Sequence, residues 1–141
     1  IRGVLKDADI VVHCGDFVGT DVVSKFRSLK NSPILVHGNS DPAEIRKTLP
    51  YVETFRVGTF DFGVIHPAWG GPEFDPQELL KDFVKKPNII LFGHTHEPLD
   101  KTIGNVRYIN PGQGYKSFMV PCTIARITVD NSKISVKIMY F

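Results

Sequence analysis

The sequence predicts an α/β domain built on a mixed β-sheet, with a second, largely antiparallel sheet packed against it. Three observations carry this expectation. Residues 10–12, 33–36 and 88–92 are short apolar runs without alternation, bounded by turn signals, as strands covered on both faces would be. Between the first two runs, Val22, Val23, Phe26 and Leu29 fall on one helical face, which makes a strand, helix, strand crossover. Towards the C-terminus the pattern changes to strict alternation: Ile134, Val136, Ile138 and Tyr140 alternate with Lys133, Ser135, Lys137 and Met139, a strand with one wet face.

The remaining elements follow in order. Ile1, Val4 and Leu5 repeat as the last turn of an amphipathic helix, with no N-cap residue or earlier turn before them, so the chain is expected to begin inside an element. Residues 52–57 and 60–65 read as a hairpin, and 102–109 as another that turns at Gly104-Asn105. Asp75 signals a second helix: Pro76 takes the first helical position, Glu78 the capping-box position, and Leu79, Leu80, Phe83 and Val84 the apolar stripe. Asp130-Asn131-Ser132 turns the segment 122–129 into the last strand. Repeats, linkers and low-complexity stretches are lacking, so residues 1–141 are expected to form a single domain.

Composition narrows the function. A chain of 141 residues, 42% hydrophobic and 23% charged, has the size and apolar content of one packed core. Seventeen basic residues against fifteen acidic ones leave a net charge of +2, and they are scattered, which argues against a nucleic-acid partner. No apolar run approaches the roughly 20 residues of a membrane span. Cys14 and Cys122 fit neither a disulfide framework nor a thiolate metal site, so two reduced thiols in a cytoplasmic protein are expected. The oligomeric state stays open, a homodimer included.

The polar residues are placed more tellingly than the apolar ones. Each buried strand runs into a small residue and then a metal-ligating type of side chain: Gly15-Asp16, Gly38-Asn39-Ser40-Asp41, His66 after 63–65, and Gly93-His94-Thr95-His96. In open α/β sheets the carboxyl ends of strands face the crevice where ligands bind. Carboxylate, carboxamide oxygen and three imidazoles without a thiolate suit Mn²⁺, Fe²⁺, Zn²⁺ or Ni²⁺. Two such ions about 3.5 to 4 Å apart can share a carboxylate and acidify a water for in-line phosphoryl displacement. Asp16 is the best candidate for the shared carboxylate.

Gly-Asp, Gly-Asn-x-Asp, a His after an apolar strand and Gly-His-x-His, in that order, resemble the signature of calcineurin-like metallophosphoesterases. The likeness is to the small single-domain phosphodiesterases of bacteria and archaea, whose Asn-Pro-Gly turn is similar to Asn110-Pro111-Gly112. The resemblance implies a four-layer sandwich of two mixed β-sheets flanked by helices. It implies hydrolysis of a small phosphate ester, most simply a diester, by a metal-bridging hydroxide. It implies two divalent ions, with Mn²⁺ as first choice and Fe²⁺, Zn²⁺ or Ni²⁺ as alternatives. Carried over, Asn39, His66 and His94 bind one ion, Asp16 bridges, His96 binds the other, and Asn39 also touches the phosphate.

Three departures bear on this. The family's opening Asp-x-His does not occur in these 141 residues, which leaves the second ion with Asp16 and His96 alone. An N-terminally incomplete domain lacking its first strand is the favoured expectation. Ser40 stands where many members of the family have a histidine thought to protonate the leaving group. Pro67-Ala68-Trp69 follows His66 where relatives often have Gly and a further His. The rival expectation is a catalytically weak or inactive protein-interaction module on the same fold, as in the retromer subunit. Plainer roles are expected for other residues: supporting positions for His13 and His37, an inert buried thiol for Cys14, loop anchors for Trp69 and Phe74 with a substrate-facing rim as the alternative, a solvated helix face for Lys81, Lys85 and Lys86, and orientation of the neighbouring loop or a histidine for Asp41.

Overall fold

The computed structural model describes residues 2–17, 19–68, 74–115 and 117–141. Among these, the chain opens with helix α1 (Arg2–Lys6), followed by strand β1 (Val12–His13), helix α2 (Thr20–Arg27), strand β2 (Ile34–Leu35) and helix α3 (Ala43–Thr48). Strands β3 (Val52–Val57), β4 (Phe60–Ile65), β5 (Ile89–Phe92), β6 (Leu99–Ile103), β7 (Val106–Asn110), β8 (Thr123–Asp130) and β9 (Lys133–Tyr140) complete the order, with a 3-10 helix at Pro76–Asp82.

The sheet at the centre is mixed, in the order β3-β4-β5-β7-β6. β4, β5 and β7 run parallel, while β3 and β6 pair antiparallel at the two edges. All four residues of β5 are buried, and they divide by period two: Ile89 and Leu91 enter one core, Ile90 and Phe92 the other. That is the physical reason for the missing alternation in 88–92. On one face lies the 3-10 helix, whose Leu79 packs with Phe83, Ile65, Phe92 and Tyr108. On the other face Val36, Phe62, Val64 and Ile109 meet half-buried residues of two small sheets, Val12 and Ile34 from parallel β1-β2, and Ala125, Ile127, Ile134 and Val136 from antiparallel β8-β9. Outside β1-β2, α2 and α3 enclose Phe17, Val23, Leu35, Ile45 and Leu49. Helices, sheet, sheet and helix give the four layers. The expected second sheet is two separate pairs, one of them parallel.

Both internal hairpins have the expected registers, Val57 opposite Phe60 and Ile103 opposite Val106. The last hairpin pairs Asp130 with Lys133 and turns through Asn131 in the left-handed region at φ 53°. Two expectations need correction. The expected α-helix at 75–84 is a 3-10 helix, capped by the Asp75 side chain accepting from Gln77 N at 3.0 Å, and it ends at Asp82 because Phe83 is extended. Leu79 reaches the core from within the helix and Phe83 from the extended residue after it, and Val84, beyond the helix end, is left fully exposed instead of joining the stripe. Helix α3 went unforeseen, since a six-residue segment offers little periodicity to read. Ile45 and Leu49 beyond Asp41-Pro42 were the available signal.

Candidate active site

Asp16, Asn39, His66 and His94 come together at the carboxyl ends of β1, β2, β4 and β5. The loops that carry them are held by buried polar groups. The Asp41 carboxylate, 3% exposed, accepts from the backbone N–H of Gly38 (2.7 Å), Asp16 (3.0 Å) and Phe17 (2.6 Å), joining the loops after β1 and β2. Arg46 donates to the carbonyl oxygens of Asp41 (2.9 Å) and Asn39 and braces the second loop from outside. Asp41 thus orients loops, as expected of it.

Close approach needs glycine at Gly38: a Cβ there would sit 2.1 Å from Asp16 Oδ1. Asp16, His94 and His96 adopt φ of 61°, 92° and 62°, values that non-glycine residues reach only when surrounding structure imposes them, and such positions cluster at functional sites. Asp16 Oδ1 accepts from Ser40 N at 2.8 Å, which turns Oδ2 towards His66.

His66 decides what the site can hold. Its Nδ1 lies 2.8 Å from the Cys14 carbonyl oxygen, which can only accept, so Nδ1 carries the proton. Burial lowers its pKa against the opposing pull of Asp16, which keeps the ring neutral. Nε2 is then a lone pair, facing Asn39 Oδ1 at 2.7 Å and Asp16 Oδ2 at 3.3 Å. His94 Nδ1 points at the same carboxamide oxygen from 3.2 Å. Electron pairs turned on one another without a proton between them suit a cation, and a histidine that donates its other N–H to a carbonyl is the usual form of a metal ligand. Among the described residues no three His, Cys, Asp or Glu side chains form a ready cage; Asn39 is what unites this set.

His96 stands apart from the cluster, with Nδ1 2.7 Å from Gln113 Oε1. Gln113, 5% exposed, is a site residue that the sequence reading missed. Its position three residues beyond β7 was the available signal. Asn110 is fully buried; it donates to Thr95 Oγ1 (3.0 Å) and accepts from Gly112 N (2.9 Å), tying the His94–His96 turn to the Asn-Pro-Gly turn.

His13, Cys14 and Phe74 behave as expected, whereas His37 Nδ1 is buried without a hydrogen-bond partner among the described residues. His13 accepts from Gly15 N at 3.1 Å and stacks on Phe17 with centroids 3.7 Å apart. Burial pushes its pKa down to about 4. His37 tilts against Tyr51. The Cys14 thiol is pushed up to about 12 by burial and is no nucleophile. Phe74 packs on Phe92 as an anchor, Lys85 pairs with Asp61 at 3.2 Å while largely exposed, and Trp69 lies outside the described residues.

Comparisons with known proteins show the family and the fold. The family model for the calcineurin-like phosphoesterase superfamily domain matches residues 1–132. The chain belongs to that superfamily. A probable metallophosphoesterase of Methanothermobacter thermautotrophicus is 24% identical over 136 residues, 95% of this chain and 77% of the relative. A phosphodiesterase of Methanocaldococcus jannaschii is 25% identical over 121 residues, 77% of this chain and 69% of the relative. The solution structure of a Thermotoga maritima protein superposes with a TM-score of 0.75 at 32% identity, over 99% of this chain and 85% of that one. A zinc complex of Vps29 from Entamoeba histolytica shares the fold, with a TM-score of 0.73 at 19% identity over 100% and 88%. As a calcineurin-like phosphoesterase the chain has the mixed α/β fold its sequence predicts. No helix among its described residues is long and apolar enough to cross a membrane.

Proposed function

We propose that this chain is a metal-dependent phosphodiesterase acting on a small phosphate ester. The observation that carries the reading is the convergence of His66 Nε2, His94 Nδ1 and Asp16 Oδ2 around Asn39 Oδ1. Asn39, His66 and His94 would hold one divalent ion, Asp16 would bridge, and His96 would serve the second, with Mn²⁺ as first choice. When bound, the ions supply an acidified water and positive charge opposite the phosphoryl oxygens. The chain's own contribution is positional. Cys14 O fixes the face that His66 presents, Ser40 N and Asp41 fix Asp16, and the exposed carboxamide of Asn39 has an N–H₂ left to donate to a phosphoryl oxygen. The free, reduced cysteines accord with the cytoplasmic setting that we assign.

The Ser40 hydroxyl is too weak an acid to protonate a poor leaving group at neutral pH. General acid catalysis is worth about 10² to 10⁴-fold, so aryl diesters should be hydrolysed far faster than alkyl diesters, and equal rates on both would count against this assignment. The exposed Tyr115, Phe118 and Met119 favour a second reading, an interaction module that binds a protein through this loop. Hydrolysis of bis(p-nitrophenyl) phosphate with added Mn²⁺ separates the two. Activity that disappears in His94→Ala supports the enzyme; inertness of the unaltered chain across several metals supports the module.

A further inference from the structure

We propose that Gln113 is a positioning residue that fixes the tautomer of His96 and couples this ligand to Tyr115 and Ser117 in the loop that follows. The inference rests on the reading of His96 as a ligand of the second ion, but its geometry stands independently. The Gln113 Nε2 donates to Tyr115 O at 2.9 Å and to Ser117 Oγ at 3.0 Å. Tyr115 O is a backbone carbonyl and can only accept, and Ser117 Oγ gives its own proton to Val120 O. Turning the carboxamide over would set its oxygen against the Tyr115 carbonyl, so its orientation is forced. Oε1 therefore faces His96, and an acceptor 2.7 Å from Nδ1 requires that nitrogen to bear the proton. His96 Nε2 is left as the lone pair.

The same logic operates at His66, where Cys14 O holds the proton on Nδ1. Two histidines on different strand ends are thus kept in one tautomer by two different carbonyl oxygens, one from the backbone and one from a side chain. Gln113 is well placed for this duty. Its backbone carbonyl accepts from Thr123 N at 2.8 Å, so the residue is anchored to β8 as well as buried. It also restrains a histidine whose φ of 62° is unfavourable unless held. The exposed Tyr115, Phe118 and Met119 lie on the tethered loop, so whatever moves that loop pulls on the carboxamide that orients His96.

The test begins with the metal-free protein in mildly alkaline buffer, where long-range ¹H–¹⁵N correlation reads the tautomer of each histidine. His96 is expected as the Nδ1–H form in the unaltered chain, and an Nε2–H form there would overturn the proposal without any variant. Gln113→Leu should release His96 to a mixture of tautomers while His66 stays Nδ1–H, which also reports that the fold is intact. Gln113→Glu keeps an acceptor for Nδ1 but sets its second oxygen against the Tyr115 carbonyl, so it should preserve the Nδ1–H form while losing the tether to Tyr115. An unchanged His96 tautomer in folded Gln113→Leu sinks the idea. Titration with Mn²⁺ should then show Gln113→Leu weakening one site about 10 to 100-fold and leaving the other unmoved; equal loss at both sites would mark a merely structural role. A chain inert towards phosphodiesters with His96 still Nδ1–H would sink the phosphodiesterase reading and leave the positioning role standing.

Discussion

The β8-β9 hairpin and the loops at the carboxyl ends of β1, β2, β4 and β5 obey opposite rules. The hairpin is regular over eight pairs, its inward residues alternate with outward ones, and its single left-handed residue, Asn131, is of a type that accepts that conformation. In the site loops Asp16, His94 and His96 take left-handed values, and their conformations are imposed by contacts far away in sequence. Asp41 reaches residues 24 and 25 positions back, and His66 is fixed by Cys14, 52 positions away. The geometry of this hairpin is thus a local matter, whereas site geometry depends on non-local acceptors. The hairpin can lose an outward side chain with little consequence; the loops cannot lose an acceptor.

The largest effect should come from Asp41→Ala, which strips the acceptor from three backbone N–H groups in two loops. A destabilisation of about 3 kcal/mol or more is expected by urea titration, with Mn²⁺ affinity lost alongside it. A loss below about 1 kcal/mol would break the contrast drawn between the two regions. Next in size is the response to acid. The His13 pKa of about 4 lies below the ordinary 6.5, so between these values the unfolded chain binds the extra proton. Stability of the metal-free protein should be intact above pH 6.5 and should fall as pH drops towards 4, by at most about 1.4 kcal/mol per pH unit from this group. His13→Asn should flatten that slope by about one proton, while lowered His66 keeps its own share. An unchanged slope would mean that His13 is no buried neutral base. The smallest effect belongs to the hairpin: Lys137→Ala, on the wet face of β9, should move the melting midpoint by no more than about 0.5 kcal/mol allows.

Much of the fold was legible because it follows from period and punctuation. The run at 88–92 announced two-sided cover, whereas the run at 10–12 gave only the half-buried pair Val12–His13; Gly104-Asn105 announced its turn, and alternation in β9 announced its wet face. The element at 76–82 was legible in place but misread in kind, since Pro76 and Asp75 begin an α-helix and a 3-10 helix alike. For the site, ligand types at strand ends were visible as residues, and the meeting of Asp16, Asn39, His66 and His94 follows from parallel strands ending on one side.

By itself, then, the sequence determined the strands, the crossover, the order of ligand types and the superfamily, because each of these is written in residues close together along the chain. Only the tertiary structure decided that Cys14 O holds the proton of His66 on Nδ1 by accepting from it, that Asp41 clamps two loops, and that Gln113 and not the central cluster receives His96. Those bonds join groups from 17 to 52 residues apart. A hydrogen bond depends on direction to within tens of degrees and on distance to within tenths of an ångström, and neither exists until the layers have packed.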